Sequence, residues 1–529
     1  MSFEVRYSDL AGRIGRLATP HGILETPAFI PVVHPVRQSI SPRALRKLGF
    51  DAVITNAYLA LKHYGDEARK KGIHKIINSD CIVMTDSGGY QVLEYGQINV
   101  EPETIASFEI EIKSDIPVPL DKPTGFGLGH TKAMRYVEDT LKNAKETLEL
   151  ARTRSSIKND IISQEINRSI DPVWVGPVQG GEHSDLVKYS AESLDKMGFE
   201  LLAIGSPVEV MERYEFSILS EMIVSAKCSV PTKPFHLFGA GHPITIPLVV
   251  ALGCDTFDSA SYILYAKEDR YMHANGTFRL QDLSYFPCSC SVCSRFKTKE
   301  LLQVDKEQRI VELGKHNLHV IGAEVSAVKQ AIIDGRLWEY VLEKARAHPK
   351  LMEALYIFKD LQIIKDGTPK FKKKAIFLFE PFDQYRPEAE RFRGIVSDFK
   401  PFDTKQKLVL YPESDIHPFY TRLQYLQISK KLPDAQICTY NRFLGVIPVE
   451  ISDIFPAAHN LSLKNHALTS RVEDYPTFKI SLEKFLSTNS FKEVIVVADE
   501  FIKQILKDPN IKALCTKILD FDINAISKL

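Results

Sequence analysis

The sequence predicts a (β/α)8 barrel carrying a structural zinc site and followed by a C-terminal α/β region. Three observations lead there. Short apolar runs alternate with helical stretches from residue 50 to 260, and those runs end on polar or small residues. In addition, three cysteines crowd into "FPCSCSVCSRF" (286–296). Strands that alternate with helices make βαβ units and a parallel sheet.

The apolar opening "ETPAFIPVV" (25–33) starts the series. Seven runs follow: "DAVITN" (51–56), "CIVMTD" (81–86), "IPVPLD" (116–121), "VWVGPVQG" (173–180), "LLAIG" (201–205), "PFHLFG" (234–239) and "CDTFD" (254–258). Together they make eight, the count of the barrel. Between them, "SPRALRKLG" (41–49) has a Ser-Pro helix start, "HTKAMRYVEDTLKNAKETLELARTR" (130–154) is amphipathic, and "EHSDLVKYSAESLDKMG" (182–198) stops on glycine. A doubly wound open sheet is the competing arrangement on pattern alone. After residue 300 the chain is helical to about 360, and "KDGTPKFKKK" (365–374) reads as an exposed basic linker. New strand-like runs at 375–380, 407–412, 436–440 and 493–499 mark a second α/β region. The expected divisions are 1–345 for the barrel, with a zinc-bearing part at about 280–330, then 346–374 as linker. Residues 375–529 form one or two small domains.

Bulk properties narrow the class. At 529 residues the chain exceeds what one hydrophobic core supports, so several domains are expected. Hydrophobic residues make up 44% and charged residues 25%, ordinary for a globular protein. No run of eighteen apolar residues and no signal-peptide pattern exist, so the expected location is the cytoplasm, away from membranes. Lys+Arg and Asp+Glu both total 67, so net charge neither implies nor excludes a nucleic-acid partner.

The cysteines are spaced C-x-C-x2-C, as Cys288, Cys290 and Cys293, and His316 follows in the helical stretch "RIVELGKHNLHVI". Cys3His is a standard structural zinc set, and four protein ligands leave no position for a metal-bound water. His319 is the weaker candidate for the fourth ligand, and free thiols are the alternative to a metal.

In a barrel, the residues that end the strands face one mouth. Here they are Asn56, Asp86, Asp121, Gln179, Gly205, Gly239 and Asp258. A lone strand-end Asp is commonly a helix cap. Three carboxylates at one mouth repel one another, which a function must justify. Asp255 stands near the same strand end as Asp258, and Tyr90 in "MTDSGGYQV" could stack on a flat ring. Paired carboxylates suit displacement at a sugar carbon. The third carboxylate and the Gln179 amide suit the edge of a purine.

With these motifs in place, the chain resembles the tRNA-guanine transglycosylases, archaeal type. "MTDSGGYQVLEYG", "LDKPTG", "GPVQGG", "HLFGAGHP", "GCDTFDSASYILYAKEDRYM" and "CSCSVC…HN" fall in the family's order over residues 1 to about 345. The resemblance implies a barrel with an inserted structural Zn2+. It also implies Asp258 as the nucleophile on C1′ of a tRNA guanosine and Asp86 as general acid/base. Asp121, Gln179, Gly180 and Gly205 would bind the base edge, with Gly239 beside them. Tyr90 and Phe238 would sandwich the ring. The incoming base would be 7-cyano-7-deazaguanine, the target a D-arm guanine, and the product a precursor of archaeosine. Arg270, after the nucleophile strand, is the candidate tRNA phosphate contact. Family members are usually homodimers. The expectation is a chain without the family's PUA module, with a separate PUA protein as partner. The rivals are a 7-deazaguanine transferase acting on DNA and a catalytically silent RNA-binding subunit.

Overall fold

The chain opens with an antiparallel sheet that the apolar runs do not announce: β1 (Phe3–Asp9), β2 (Gly12–Thr19) and β3 (Gly22–Glu25), paired in that order. The signal was "FEVRY", in which Phe3, Val5 and Tyr7 alternate with charged residues as in a half-covered strand. The computed structural model describes residues 3–89, 101–162, 170–413, 418–463, 475–522 and 525–529. Its contacts divide the chain into two units, Met1–Gly367 and Thr368–Leu529.

All eight apolar runs of the first unit are strands: β4 (Ala28–Pro31), β5 (Ala52–Asn56), β6 (Ile82–Asp86), β7 (Ile116–Pro117), β8 (Val175–Val178), β9 (Leu201–Ile204), β10 (Phe235–Leu237) and β11 (Thr256–Ser259). One parallel ladder runs β4-β11-β10-β9-β8 and another β5-β6-β7. Two joints close the ring. Val32 bridges Ile54, with Val33 N–H donating to the Ile54 carbonyl at 2.8 Å, and this links β4 to β5. Val173 N–H donates to the Asp115 carbonyl at 2.9 Å, linking β7 to β8. Each strand thus has two neighbours, which is a closed (β/α)8 barrel and not an open doubly wound sheet.

Apolar side chains fill the ring. Ile30, Ile54, Met84, Ile116, Val175 and Leu201 are buried against one another, with Leu17 and Leu24 of the opening sheet in the same cluster. Helices follow the strands as the pattern requires. Pro42–Lys47 is capped by Ser41, and Ser184–Met197 ends on left-handed Gly198.

After β11 come a short helix (Ser261–Lys267) and the hairpin of β12 (Arg270–His273) and β13 (Gly276–Arg279). A long helix, Lys306–Asp334, then packs on β12. Asn317 binds the two together, accepting from Met272 N–H at 2.9 Å and donating to the Tyr262 carbonyl at 3.0 Å.

The second unit holds β14 (Ile376–Leu378), β15 (Lys407–Pro412), β16 (Ala435–Asn441), β17 (Gly445–Pro448), β18 (Asn460–Ser462), β19 (Glu493–Ala498) and β20 (Lys517–Asp520). Its main sheet runs β17-β16-β15-β19-β20, parallel except for β17. Alternate residues enter opposite cores: Leu408, Leu410, Val494 and Val496 on one face, Val409, Ile437, Ile495 and Val497 on the other. The division between units falls inside 365–374, the segment expected as an exposed basic linker. That reading needs correction at Lys372, which is buried and ion-paired with Glu388 at 2.6 Å, compensating that buried carboxylate together with Arg386.

Candidate active site and metal centre

Asp258 lies in β11, two residues beyond Thr256, whose register partner on β10 is His236. Its Oδ1 accepts from the Gly239 N–H at 3.0 Å and lies 3.1 Å from His236 Nε2. A carboxylate only accepts, so His236 Nε2 carries the proton. His236 Nδ1, 3.0 Å from Thr256 Oγ1, is then the acceptor of that hydroxyl. Both contacts fall on Oδ1. Among the described residues no hydrogen bond engages Oδ2, which is left to react.

Asp86 ends β6. Its Oδ2 accepts from Asn56 Nδ2 at 3.1 Å, and Oδ1 from Gly88 N–H at 3.3 Å. Asn56 is itself fixed, because its Oδ1 caps the helix Ala57–Lys71 through Leu59 N–H at 2.8 Å. Burial pushes the Asp86 carboxyl up to about 6, and the charge of Asp258 adds to the rise. Asp121 follows β7, with Oδ2 accepting from Gln179 Nε2 at 2.5 Å. Burial, then the charge of Asp86, push it up to about 7. Each carboxylate therefore feels the next, and the three acids form one cluster at the C-terminal ends of the strands.

The remaining predicted residues take more specific places. Gln179 is buried, with Oε1 accepting from Thr124 N–H, Thr124 Oγ1 and Ser206 Oγ at 3.0–3.1 Å. The Gly205 N–H donates to the Val178 carbonyl at 2.8 Å, so its contribution is space. A Cβ there would stand 2.2 Å from Gln179 Nε2, and one on Gly89 2.1 Å from Asp121 Oδ1. Gly180 points its N–H at Thr124 Oγ1, 3.4 Å away. Gly239, expected on the substrate, gives its N–H to the nucleophile candidate instead, in a positive-φ conformation. Phe238 is half-buried, packed against the barrel core and edge-on to His236. Tyr90 lies outside the described residues.

Asp255 does not join the cluster. It immediately precedes β11, at the opposite end of the barrel, where Arg13 grips it through Nε (3.0 Å) and Nη2 (2.5 Å). Arg270 lies at the start of β12, over the Tyr265 ring at 4.5 Å and half-exposed. His236 was not among the expected residues. Its signal was the spacing H-x-F in "PFHLFG", which puts His236 and Phe238 on one face of a strand.

The cysteines converge as their spacing implies. The donor atoms of Cys288, Cys290, Cys293 and His316 all lie within 4.8 Å of one another. Cys290 Sγ and Cys293 Sγ are each 3.4 Å from His316 Nδ1. Bonds of about 2.3 Å to sulfur and 2.1 Å to nitrogen ask for S···N separations of roughly 3.6 Å, so the group fits a tetrahedral ion. His316 Nε2 lies 2.9 Å from the Met272 carbonyl, which fixes its proton there and leaves Nδ1 free for a metal. Tyr271 stacks on the imidazole at 3.8 Å.

The comparisons with known proteins agree with this geometry. The profile of the family described as Queuine tRNA-ribosyltransferase matches residues 9–350. The chain is 47% identical over 476 residues to a relative from Aeropyrum pernix, covering 86% of each protein. It is 38% identical over 511 residues to one from Sulfolobus acidocaldarius, covering 95% of this chain and 96% of that protein. Against a relative from Methanocaldococcus jannaschii it is 38% identical over 469 residues, 87% of this chain and 68% of the other. All three carry the name tRNA-guanine(15) transglycosylase. With two-thirds of its length under the family profile and its acids gathered at one barrel mouth, the chain belongs to the queuine tRNA-ribosyltransferase family of pentosyl-transferring enzymes.

Proposed function

We propose that this chain exchanges a guanine in the tRNA D-arm for 7-cyano-7-deazaguanine, at position 15 as its relatives are named, through a covalent glycosyl-enzyme. The observation that carries the reading is Asp258, tethered through Oδ1 with Oδ2 open, beside an Asp86 carboxyl poised near neutrality. Asp258 Oδ2 attacks C1′, and the C1′–N9 bond breaks with its electron pair leaving on guanine. Asp86 supplies the proton that guanine needs to depart neutral. The incoming base then gives its N9 proton back to Asp86 and displaces the Asp258 ester, so two inversions yield retention.

Asp121 accepts from the amine edge of the base, while Gln179, locked by Thr124 and Ser206, holds that carboxylate in place. Phe238 supplies one apolar wall. A D-arm base is packed within the folded tRNA, so it must be extruded to reach a site of this depth. Arg270, half-exposed on β12, contacts tRNA phosphate. Its replacement by Ala should flatten the salt dependence of binding by about one unit of slope.

The metal of the Cys3His group is Zn2+. It links the knuckle at 288–293 to the helix carrying His316 and takes no part in the transfer, since protein fills all four positions. No described helix is long and apolar enough to cross a membrane. The test is incubation with tRNA and 7-cyano-7-deazaguanine followed by nucleoside analysis. The expected result is the deazaguanine nucleoside in tRNA, and transfer into duplex DNA instead would overturn the reading.

A further inference from the structure

A second cluster of side chains with metal-ligating atoms, separate from the cysteines, sits at the N-terminal end of the barrel. Asp115 immediately precedes β7 and is fully buried. Its Oδ1 lies 2.5 Å from His21 Nδ1, and its Oδ2 lies 3.0 Å from His74 Nε2. His21 comes from the turn between β2 and β3, and His74 from the short helix Ile73–Ile76. The two imidazoles face each other with ring centroids 3.9 Å apart, and the three donor atoms lie within 4.8 Å of one another.

We propose that His21, His74 and Asp115 form a second metal site, for a divalent cation of the zinc type, that fastens the opening hairpin to the barrel.

The donor chemistry selects the ligand. Two imidazole nitrogens and one carboxylate oxygen suit Zn2+ and its first-row neighbours, whereas Mg2+ and Ca2+ prefer all-oxygen cages. Charge argues the same way. Among the described residues this buried carboxylate accepts from the two imidazoles and from the Val83 N–H at 2.8 Å, and from no Arg or Lys. Asp255, at the same barrel end, is by contrast neutralised by Arg13. A buried carboxylate is costly unless a positive charge compensates it, and a cation does so directly. The Val83 N–H also holds the carboxylate in orientation, as a ligand's outer contacts do. On metal entry the proton that each imidazole gives Asp115 moves to its far nitrogen, and the ion with one carboxylate carries a net charge of +1, with no redox step. His21 is half-exposed, which gives the ion a path and leaves room for water as a further ligand.

The experiment measures zinc content of the full-length protein after equilibration with excess zinc and removal of the unbound ion. Two zinc ions per chain are expected in the wild type, falling to one in His21→Ala and His74→Ala and also to one in Cys290→Ser. Added zinc should raise the melting temperature of the wild type further than that of His21→Ala, with base exchange unchanged in that variant. Because His21 sits in an exposed turn, it decides the matter even where Asp115→Asn does not fold. A content of one that His21→Ala lowers to zero would support this site and count against the cysteine site. A wild-type content of one that His21→Ala leaves unchanged would overturn the proposal, as would two ions retained by both histidine variants.

Discussion

The two ends of the barrel treat their carboxylates in opposite ways. At the N-terminal end Asp255 is gripped by Arg13, and Asp115 is held between two histidines and a backbone N–H. At the C-terminal end the hydrogen-bond partners of Asp86 and Asp121 among the described residues are amides, and burial with mutual repulsion lifts the two carboxyls to about 6 and 7. The same residue type fastens the fold at one end and stores reactivity at the other. What separates them is whether a guanidinium or a pair of imidazoles answers the charge. At the mouth, stability is given up where chemistry needs it.

That contrast can be broken by single substitutions. The largest effect belongs to Asp258→Ala, which should lower the exchange rate by about 10^3-fold or more, some 4 kcal/mol of barrier, with little change in unfolding free energy. Arg13→Ala does the reverse. It strands Asp255 as a buried unpaired charge and should cost roughly 3–5 kcal/mol in urea unfolding, while the folded fraction keeps its turnover.

His236 tests how finely the mouth is arranged. His236→Ala should lower kcat about 10- to 100-fold with a smaller change in KM, because the nucleophile loses one of its two orienting donors without losing its charge. A variant that altered KM alone would place His236 in substrate binding.

Asp121→Asn probes the stored repulsion. The folded-state carboxyl lies above its unfolded value, so the wild type is most stable when it is protonated and loses stability as pH rises toward 7. The Asn variant escapes that loss. Its advantage in thermal unfolding should grow from pH 5 to pH 8, reaching on the order of 2 kcal/mol. An advantage equal at both pH values would contradict the assignment.

Much of this plan was legible in the sequence. All eight barrel strands stood out because each is a short apolar run between amphipathic stretches, and the cysteine knuckle because few other reasons crowd three sulfurs together. Other features were hidden for physical reasons. Asp255 and Asp258 are three residues apart, yet a strand of four residues separates the two ends of a barrel, so adjacency in sequence concealed opposite roles. A histidine inside an apolar run, such as His236, looks like any core residue until the neighbouring strand is in register with it. The glycines were read as base contacts, but only coordinates reveal where an N–H points, and Gly239 and Gly205 spend theirs on Asp258 and Val178. The opening sheet was missed because β1 and β3 present mostly exposed faces, which dilute an apolar run.

The most direct test of the account is a covalent trap. The full-length protein is incubated with tRNA without an incoming base, denatured, digested and analysed by mass spectrometry. The account predicts a ribose ester on the peptide containing Asp258, absent from Asp258→Asn. An adduct on another residue, or undiminished guanine exchange by Asp258→Asn, would contradict it.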